Sequence, residues 1–154
     1  MSSVTAIAVL LPLPVVLLLL WNVRRPANVR LDVRDDHLVV ELRGWDALYC
    51  VKRRLVVPVA EVDGVGVFQR AQVPQEGLRM PGTGLPGVIR AGSYGTGTTR
   101  DFWDVRNGPE VLVIQLKPGN GYRRIVLEVP EPRQEMLRLR PVLGALNWVP
   151  PTSQ

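Results

Sequence analysis

Four places in this chain gather side chains that could do chemistry. The most compact is Asp101-Phe102-Trp103-Asp104, two carboxylates among aromatics. Paired carboxylates can divide acid and base roles, the arrangement a small hydrolase would use. In a strand, though, Asp101 points away from Phe102 and shares a face with Trp103. The segment therefore reads as a strand that puts an aromatic in the core rather than as a catalytic pair. Cys50 and His37 are the only cysteine and histidine. A nucleophilic thiol needs a base beside it, but Cys50 follows Leu48 and Tyr49 in an apolar stretch and reads as a small core residue. A lone cysteine also forms no intramolecular disulfide, which suits a reducing compartment.

The third place is the glycine-rich run Gly82-Thr83-Gly84-Leu85-Pro86-Gly87. A phosphate loop needs Lys followed by Ser or Thr after its last glycine, to neutralise phosphate and hold magnesium. Val88 and Ile89 stand there instead, and no strand–loop–helix unit surrounds the run. Glycines for tight turns in a β domain explain it better. The fourth is Lys52-Arg53-Arg54. Beside a membrane, Lys52 and Arg53 could contact an anionic headgroup together with Arg24 and Arg25, although consecutive strand residues face opposite ways and all three cannot converge. The alternative is a solvent-facing basic edge. One His and one Cys are too few for an ordinary zinc site, and no loop of spaced carboxylates offers a calcium site. The expectation is no catalytic residue, no cofactor and no metal.

The elements that must position these residues begin with an apolar segment. Val4 to Trp21, VTAIAVLLPLPVVLLLLW, contains no ionisable side chain. Eighteen residues at about 1.5 Å each give roughly 27 Å of helix, close to a hydrocarbon core of about 30 Å. Pro12 and Pro14 remove two N–H donors and predict a bend, which transmembrane helices tolerate. Trp21 suits the membrane interface, and Arg24 and Arg25 suit the headgroup layer beyond it. A cleaved signal peptide would need a basic n-region and a small-x-small site, neither of which is clean here. A buried soluble helix is the other alternative. The reading is one transmembrane anchor with its basic flank over residues 1–25. Arg24, Arg25, Arg30 and Arg34 all follow the apolar run, so the positive-inside rule places the N-terminus outside and the main domain in the cytoplasm.

The chain of 154 residues carries a formal net charge of +5, spread thinly with acids interspersed. Nucleic-acid binding would call for a denser basic stripe with stacking aromatics, so no nucleic-acid partner is expected. Fourteen Gly and fourteen Pro punctuate short apolar segments, favouring strands and turns over a helical bundle. Leu31/Val33 and Leu38/Val40/Leu42 alternate with polar residues on either side of Asp35-Asp36, a hairpin signal. Further strands are expected at Arg53–Val57, Val62–Phe68, Val88–Tyr94 and Phe102–Arg106, with a long loop over Pro74–Pro86 and a GTGTT segment at Gly95–Thr99. Val111–Leu116 and Tyr122–Val129 flank Lys117-Pro118-Gly119-Asn120-Gly121, where Pro fixes φ and Asn-Gly supplies positive φ. After Pro130, Met136, Leu139, Leu143 and Leu146 recur at helical spacing, with Pro141 kinking or restarting the helix. The expectation is a mainly β domain of about seven antiparallel strands over 29–146, a small barrel or sandwich with its C-terminal amphipathic helix laid over it. Residues 147–154 read as a loose tail.

The stretch Arg79–Tyr94, RMPGTGLPGVIRAGSY, resembles the G-x-x-x-PG-x-x-x-x-G core of bacterial PH-like domains of unknown function. The order of strands, hairpin and terminal helix is similar too, over approximately Val29–Leu146; the GTGTT segment has no counterpart. Such domains often stand beside transmembrane segments, and the resemblance brings no catalytic residues. It implies a non-enzymatic membrane-anchored interaction or scaffolding module, with the bilayer and another membrane protein or a peptide as partners. The alternatives are a sensor of anionic headgroups and a small hydrolase built on Asp101 and Asp104.

Overall fold

The computed structural model describes residues 12–24, 28–44, 46–47, 50, 52–74, 90–97 and 100–146. Helix α1, Pro12–Arg24, comes first. A three-stranded antiparallel sheet comes next, made of β1 (Val29–Arg34), β2 (His37–Leu42) and β3 (Arg54–Pro58) in that spatial order. The β1–β2 hairpin turns on Asp35 and Asp36, both with positive φ (50° and 58°), as a two-residue type I′ turn demands. Aspartate tolerates that conformation because its short polar side chain can bond locally. Alternation is cleanest in β3, where Leu55 and Val57 are buried while Arg54 and Val56 face out.

Pro58 ends β3, and a 3-10 turn at Val59–Glu61 carries the chain into a second sheet. That sheet contains β4 (Val62–Gln69), β5 (Arg90–Tyr94), β6 (Asp101–Val105), β7 (Glu110–Leu116) and β8 (Arg124–Leu127), in the order β4-β7-β8-β6-β5. The β7–β8 hairpin forms around the Lys117–Gly121 turn, but the positive φ falls on Gly119 (105°) rather than on Asn120-Gly121. The other side of β8 lies parallel to β6. Strand β8 thus inserts between two strands that a short turn at residues 106–109 joins in sequence. Among the described residues eight strands with one parallel pair stand where about seven antiparallel ones were expected, and their two sheets form a sandwich with no closed barrel. Local turn chemistry cannot announce such an insertion, because the β6–β8 pairing joins residues more than twenty positions apart.

The two sheets share one core. Leu31, Leu38, Val40, Leu42, Leu55 and Val57 of the first meet Val65, Phe102, Leu112, Ile114, Ile125 and Leu127 of the second. The opposite face of the second sheet buries Trp103, Val105, Val111, Val113 and Val126 together with Val73 and Tyr94. Strands β6 and β8 are consequently buried on both faces. Helix α2, Pro132–Leu143, packs on β4 and β7 and turns Leu139 and Leu143 into the core, with Met136 half-buried. Pro141 falls in its last turn without ending it; the helix stops three residues later, at Gly144 with φ 80°. Leu146 lies beyond the helix and packs against the outer cluster. The segment 144–146 bonds to the edge of β4 through Val65 N–H to Gly144 O (3.1 Å) and Leu146 N–H to Val65 O (3.1 Å). Residues 1–11, most of Arg79–Tyr94, the Gly82–Gly87 run and the 147–154 tail lie outside the described residues.

Gly64 lets that segment approach: a Cβ there would stand 2.8 Å from Ala145 C and O and Leu146 Cα, all backbone. Backbone cannot rotate aside, so Gly64→Ala is expected to destabilise the fold by about 1–3 kcal/mol. Chemical denaturation of the full chain in detergent measures this, and an unchanged midpoint would refute the close approach.

Candidate functional site

The feature that gathers most polar side chains from separate elements centres on Tyr122, at the end of the β7–β8 turn. Its ring meets Phe102 edge-on, at 5.9 Å between centroids and 79° between planes, which ties it to the core. Only its rim is accessible, at 8 % exposure. Lys52, just before β3, donates from Nζ to the Tyr122 hydroxyl at 2.8 Å, and Nζ lies 4.8 Å from the ring centroid. Ser93 of β5 places its hydroxyl 2.9 Å from the same oxygen. Arg100, just before β6, holds its guanidinium carbon 5.8 Å from the ring centroid. Two cations thus sit near one aromatic ring, where its quadrupole attracts both. Arg100 Nε is buried and has no hydrogen-bond acceptor among the described residues.

Of the four basic residues singled out in the sequence, the side chains of Lys52 and Arg53 are described, and of these two the structure brings Lys52 into this cluster. Arg53 is exposed on the neighbouring position and takes no part in it. Arg24 closes α1, and Arg25 lies outside the described residues. Sequence reasoning missed Tyr122, Ser93 and Arg100, which share no motif with Lys52. Tyr122 stands 70 positions from Lys52, so only the fold joins them.

The two aspartates of β6 are separated by the sheet itself. Phe102 belongs to the inner core and Trp103 to the outer cluster, so Asp101 and Asp104 project to opposite faces. Asp101 is fully buried and receives Arg123 (3.1 and 3.0 Å) and Arg124 Nε (2.8 Å). Arg124 also donates to the Pro74 carbonyl. Asp101 is therefore an ion-pair hub rather than a free base.

Asp104 has a different setting. It too is fully buried, yet neither carboxyl oxygen finds a hydrogen-bond partner among the described residues. Around it are Asp46, Arg106 and Glu128. Asp46 is held by the Arg106 guanidinium and by the Asn28 N–H at 2.5 Å. Glu128 accepts the N–H groups of Arg106 (2.8 Å) and Gly108 (2.7 Å), pinning the turn between β6 and β7. Burial pushes the Asp104 carboxyl up to about 8; the negative charge of Asp46 adds to this, Arg106 opposes it, and Glu128 adds a little more. Cys50 bonds weakly to the Trp103 carbonyl at 3.7 Å. Burial raises its thiol far above the usual range, and the charge of Asp104 raises it further. A thiol so disfavoured as thiolate is the opposite of an activated nucleophile. His37 is exposed at the β1–β2 turn with its ring nitrogen on the Asp35 carbonyl (2.6 Å), so it does not serve Cys50.

A groove of about 690 Å³ between β1 and α2 is lined by Arg30, Arg43 and Arg138 together with Glu131 and Glu135. Arg138 crosses it, bonding Glu135 (2.7 Å) and the Leu31 carbonyl (2.8 Å). Among the described residues no group of three His, Cys, Asp or Glu side chains is placed to hold a metal ion.

Fold and clusters together define a two-sheet β-sandwich with a C-terminal helix and a cationic site on a tyrosine. No protein-family model matches the chain, and no curated protein or solved structure matches it either.

Two outcomes test these assignments. Folded Asp104 keeps its proton up to about pH 8, whereas an unfolded aspartate releases it near 3.8. The folded state therefore holds the extra proton between these values, and stability falls as pH rises through that window by a few kcal/mol, about 1.4 per pH unit at most. Asp104→Asn should flatten that slope in denaturation series from pH 4 to 9; a slope equal to wild type would refute the assignment. Asp101→Asn strips two arginines of their counter-charge and should cost about 3–5 kcal/mol in the same assay.

Proposed function

We propose that this chain is a non-enzymatic, membrane-anchored PH-like module that works by binding another membrane protein or a peptide, with its β domain on the cytoplasmic side. One observation carries the anchor. Helix α1 exposes Leu13, Val16, Leu17, Leu18, Leu20 and Trp21, each between 46 % and 58 %, and has no acid in its first turn. A contiguous apolar surface on a helix needs an apolar environment, and lipid supplies one. No described helix is long and apolar enough to cross a membrane. The described part of α1 has 13 residues, and the apolar run continues in sequence back to Val4.

The interaction role is supported by the sheet edges. The two sheets end in β1 and β3, and in β4 and β5. Segment 144–146 covers part of β4, and Arg138 occupies the Leu31 carbonyl of β1. Strand β3 is short, with Val56 half exposed on it, and offers backbone groups to an added strand. The order of strands followed by a helix supports the PH-like reading, while the parallel β6–β8 pair departs from the antiparallel pattern expected of it.

The test uses the whole chain in its native membrane. Cys50 is buried and makes a poor reporter, so Cys50→Ala with Pro118→Cys places a thiol at the exposed β7–β8 turn. The protein should stay with membranes in alkaline carbonate, and the new thiol should react only after permeabilisation. Release by carbonate would sink the anchor; labelling in intact cells would reverse the orientation. Val56→Asp should deplete specific partners from native-membrane co-purification, and an unchanged partner set would count against docking at β3.

A further inference from the structure

We propose that Lys52, Arg100 and Tyr122 form a binding site for a phosphate-bearing anion. The inference does not rest on the membrane reading, because a soluble phosphate and a lipid headgroup present the same oxyanion chemistry.

Three features support it. The first is convergence: side chains from before β3, from β5 and from before β6 meet at the hydroxyl and ring of Tyr122, at the end of the β7–β8 turn. The second is donor supply. Lys52, which is exposed, gives one of its three N–H bonds to Tyr122, and the half-buried Arg100 adds its guanidinium charge beside the same ring. The third is the local charge. Asp101, which follows Arg100 in the chain, is already engaged by Arg123 and Arg124. The Arg100 carbonyl receives the Arg123 N–H at 2.6 Å, so these arginines leave adjoining backbones. A phosphate oxygen can take the remaining Lys52 protons while another takes an Arg100 N–H, which is the charge-assisted pattern that binds phosphates strongly.

Tyr122 has two roles here. Its ring orders both cations before the ligand arrives, and its hydroxyl, shared with Ser93, can turn to donate to an oxyanion. Preordering long cationic side chains reduces the entropy lost on binding. A plain basic edge would leave those side chains dispersed in water, as Arg53 and Arg54 are.

The experiment tracks modification of the Lys52 amine by an amine-reactive reagent, read by peptide mass spectrometry on the full chain. One arm holds the protein in non-ionic micelles and adds inorganic phosphate, against chloride at equal ionic strength. The other compares nanodiscs of phosphatidylcholine with nanodiscs containing phosphatidic acid. Protection of at least fivefold is expected in one arm or both. Protection by inorganic phosphate identifies a soluble source, and protection only by phosphatidic acid identifies the headgroup. Arg100→Gln and Tyr122→Phe should each abolish it, while Arg54→Gln, on the exposed strand position, should not. Tyr122→Phe keeps the ring against Phe102, so its fold can be verified by an unchanged melting temperature. Equal Lys52 rates in all conditions, equal protection by chloride, or protection that survives Arg100→Gln would each overturn the proposal.

Discussion

The structure depends on the insertion of β8 between β6 and β7. Once Arg124–Leu127 occupies that place, β6 and β8 are central strands covered on both faces, and every polar group they carry must be satisfied inside the protein. The three acids of this region meet that demand differently. Asp101 draws two arginines from the start of β8 and the residue before it. Glu128, just past β8, caps the N–H groups of the turn that β8 has pulled open. Asp104 finds no donor among the described residues, and its burial favours the neutral, protonated form. The insertion therefore explains the parallel pair, the two-sided core and the buried charges together.

Elements settled by neighbours in the chain were legible in the sequence. Asp35-Asp36 makes the hairpin its turn chemistry demands, Lys117–Gly121 makes a hairpin whose positive φ falls on Gly119 instead of Asn120-Gly121, and the Met136/Leu139/Leu143 stripe makes the helix that closes the core. Leu146 fits the same spacing but escapes the helix, because Gly144 reverses the chain and β4 captures Ala145 and Leu146 along its edge. The strand partners of β6 were not legible. A buried strand reading DFWDV and another reading RIVL carry no mark of which will pair, or in which direction. The same limit applies to the site. Lys52 was visible as one of three consecutive cations, but its partners Tyr122, Ser93 and Arg100 have no sequence relation to it.

The apolar helix and the sandwich answer the same physical demand in opposite ways. In the sandwich, apolar surface is removed from water by facing sheets and by α2, so that Leu38, Phe102 and Ile125 are fully buried. In α1, Leu13, Val16, Leu17, Leu18, Leu20 and Trp21 are each about half exposed. Removing that surface from water is favourable by about 25 cal/mol per Å², which is the physical basis of the anchor proposed for it. The first turn of α1 holds no acid, and the only charged residue of the helix closes it at Arg24, the end that a headgroup layer would meet.

Two clusters in this protein hold polar capacity that its own groups do not use, and their chemistry separates what each can do. Asp104 offers acceptors in a site with no exposure, flanked by the like charges of Asp46 and Glu128. A proton meets that need at little steric cost, so the group is neutralised and its effect is on stability. Lys52 and Arg100 offer donors at a rim, where Lys52 is exposed and Arg100 half-buried. No gain or loss of a proton near neutrality relieves an arginine, whose guanidinium stays charged. An anion can accept from both cations at once, and the exposure of Lys52 leaves a path for one to arrive. The buried acid is thus a property of the scaffold, and the cationic rim on Tyr122 is where the proposed anion would bind.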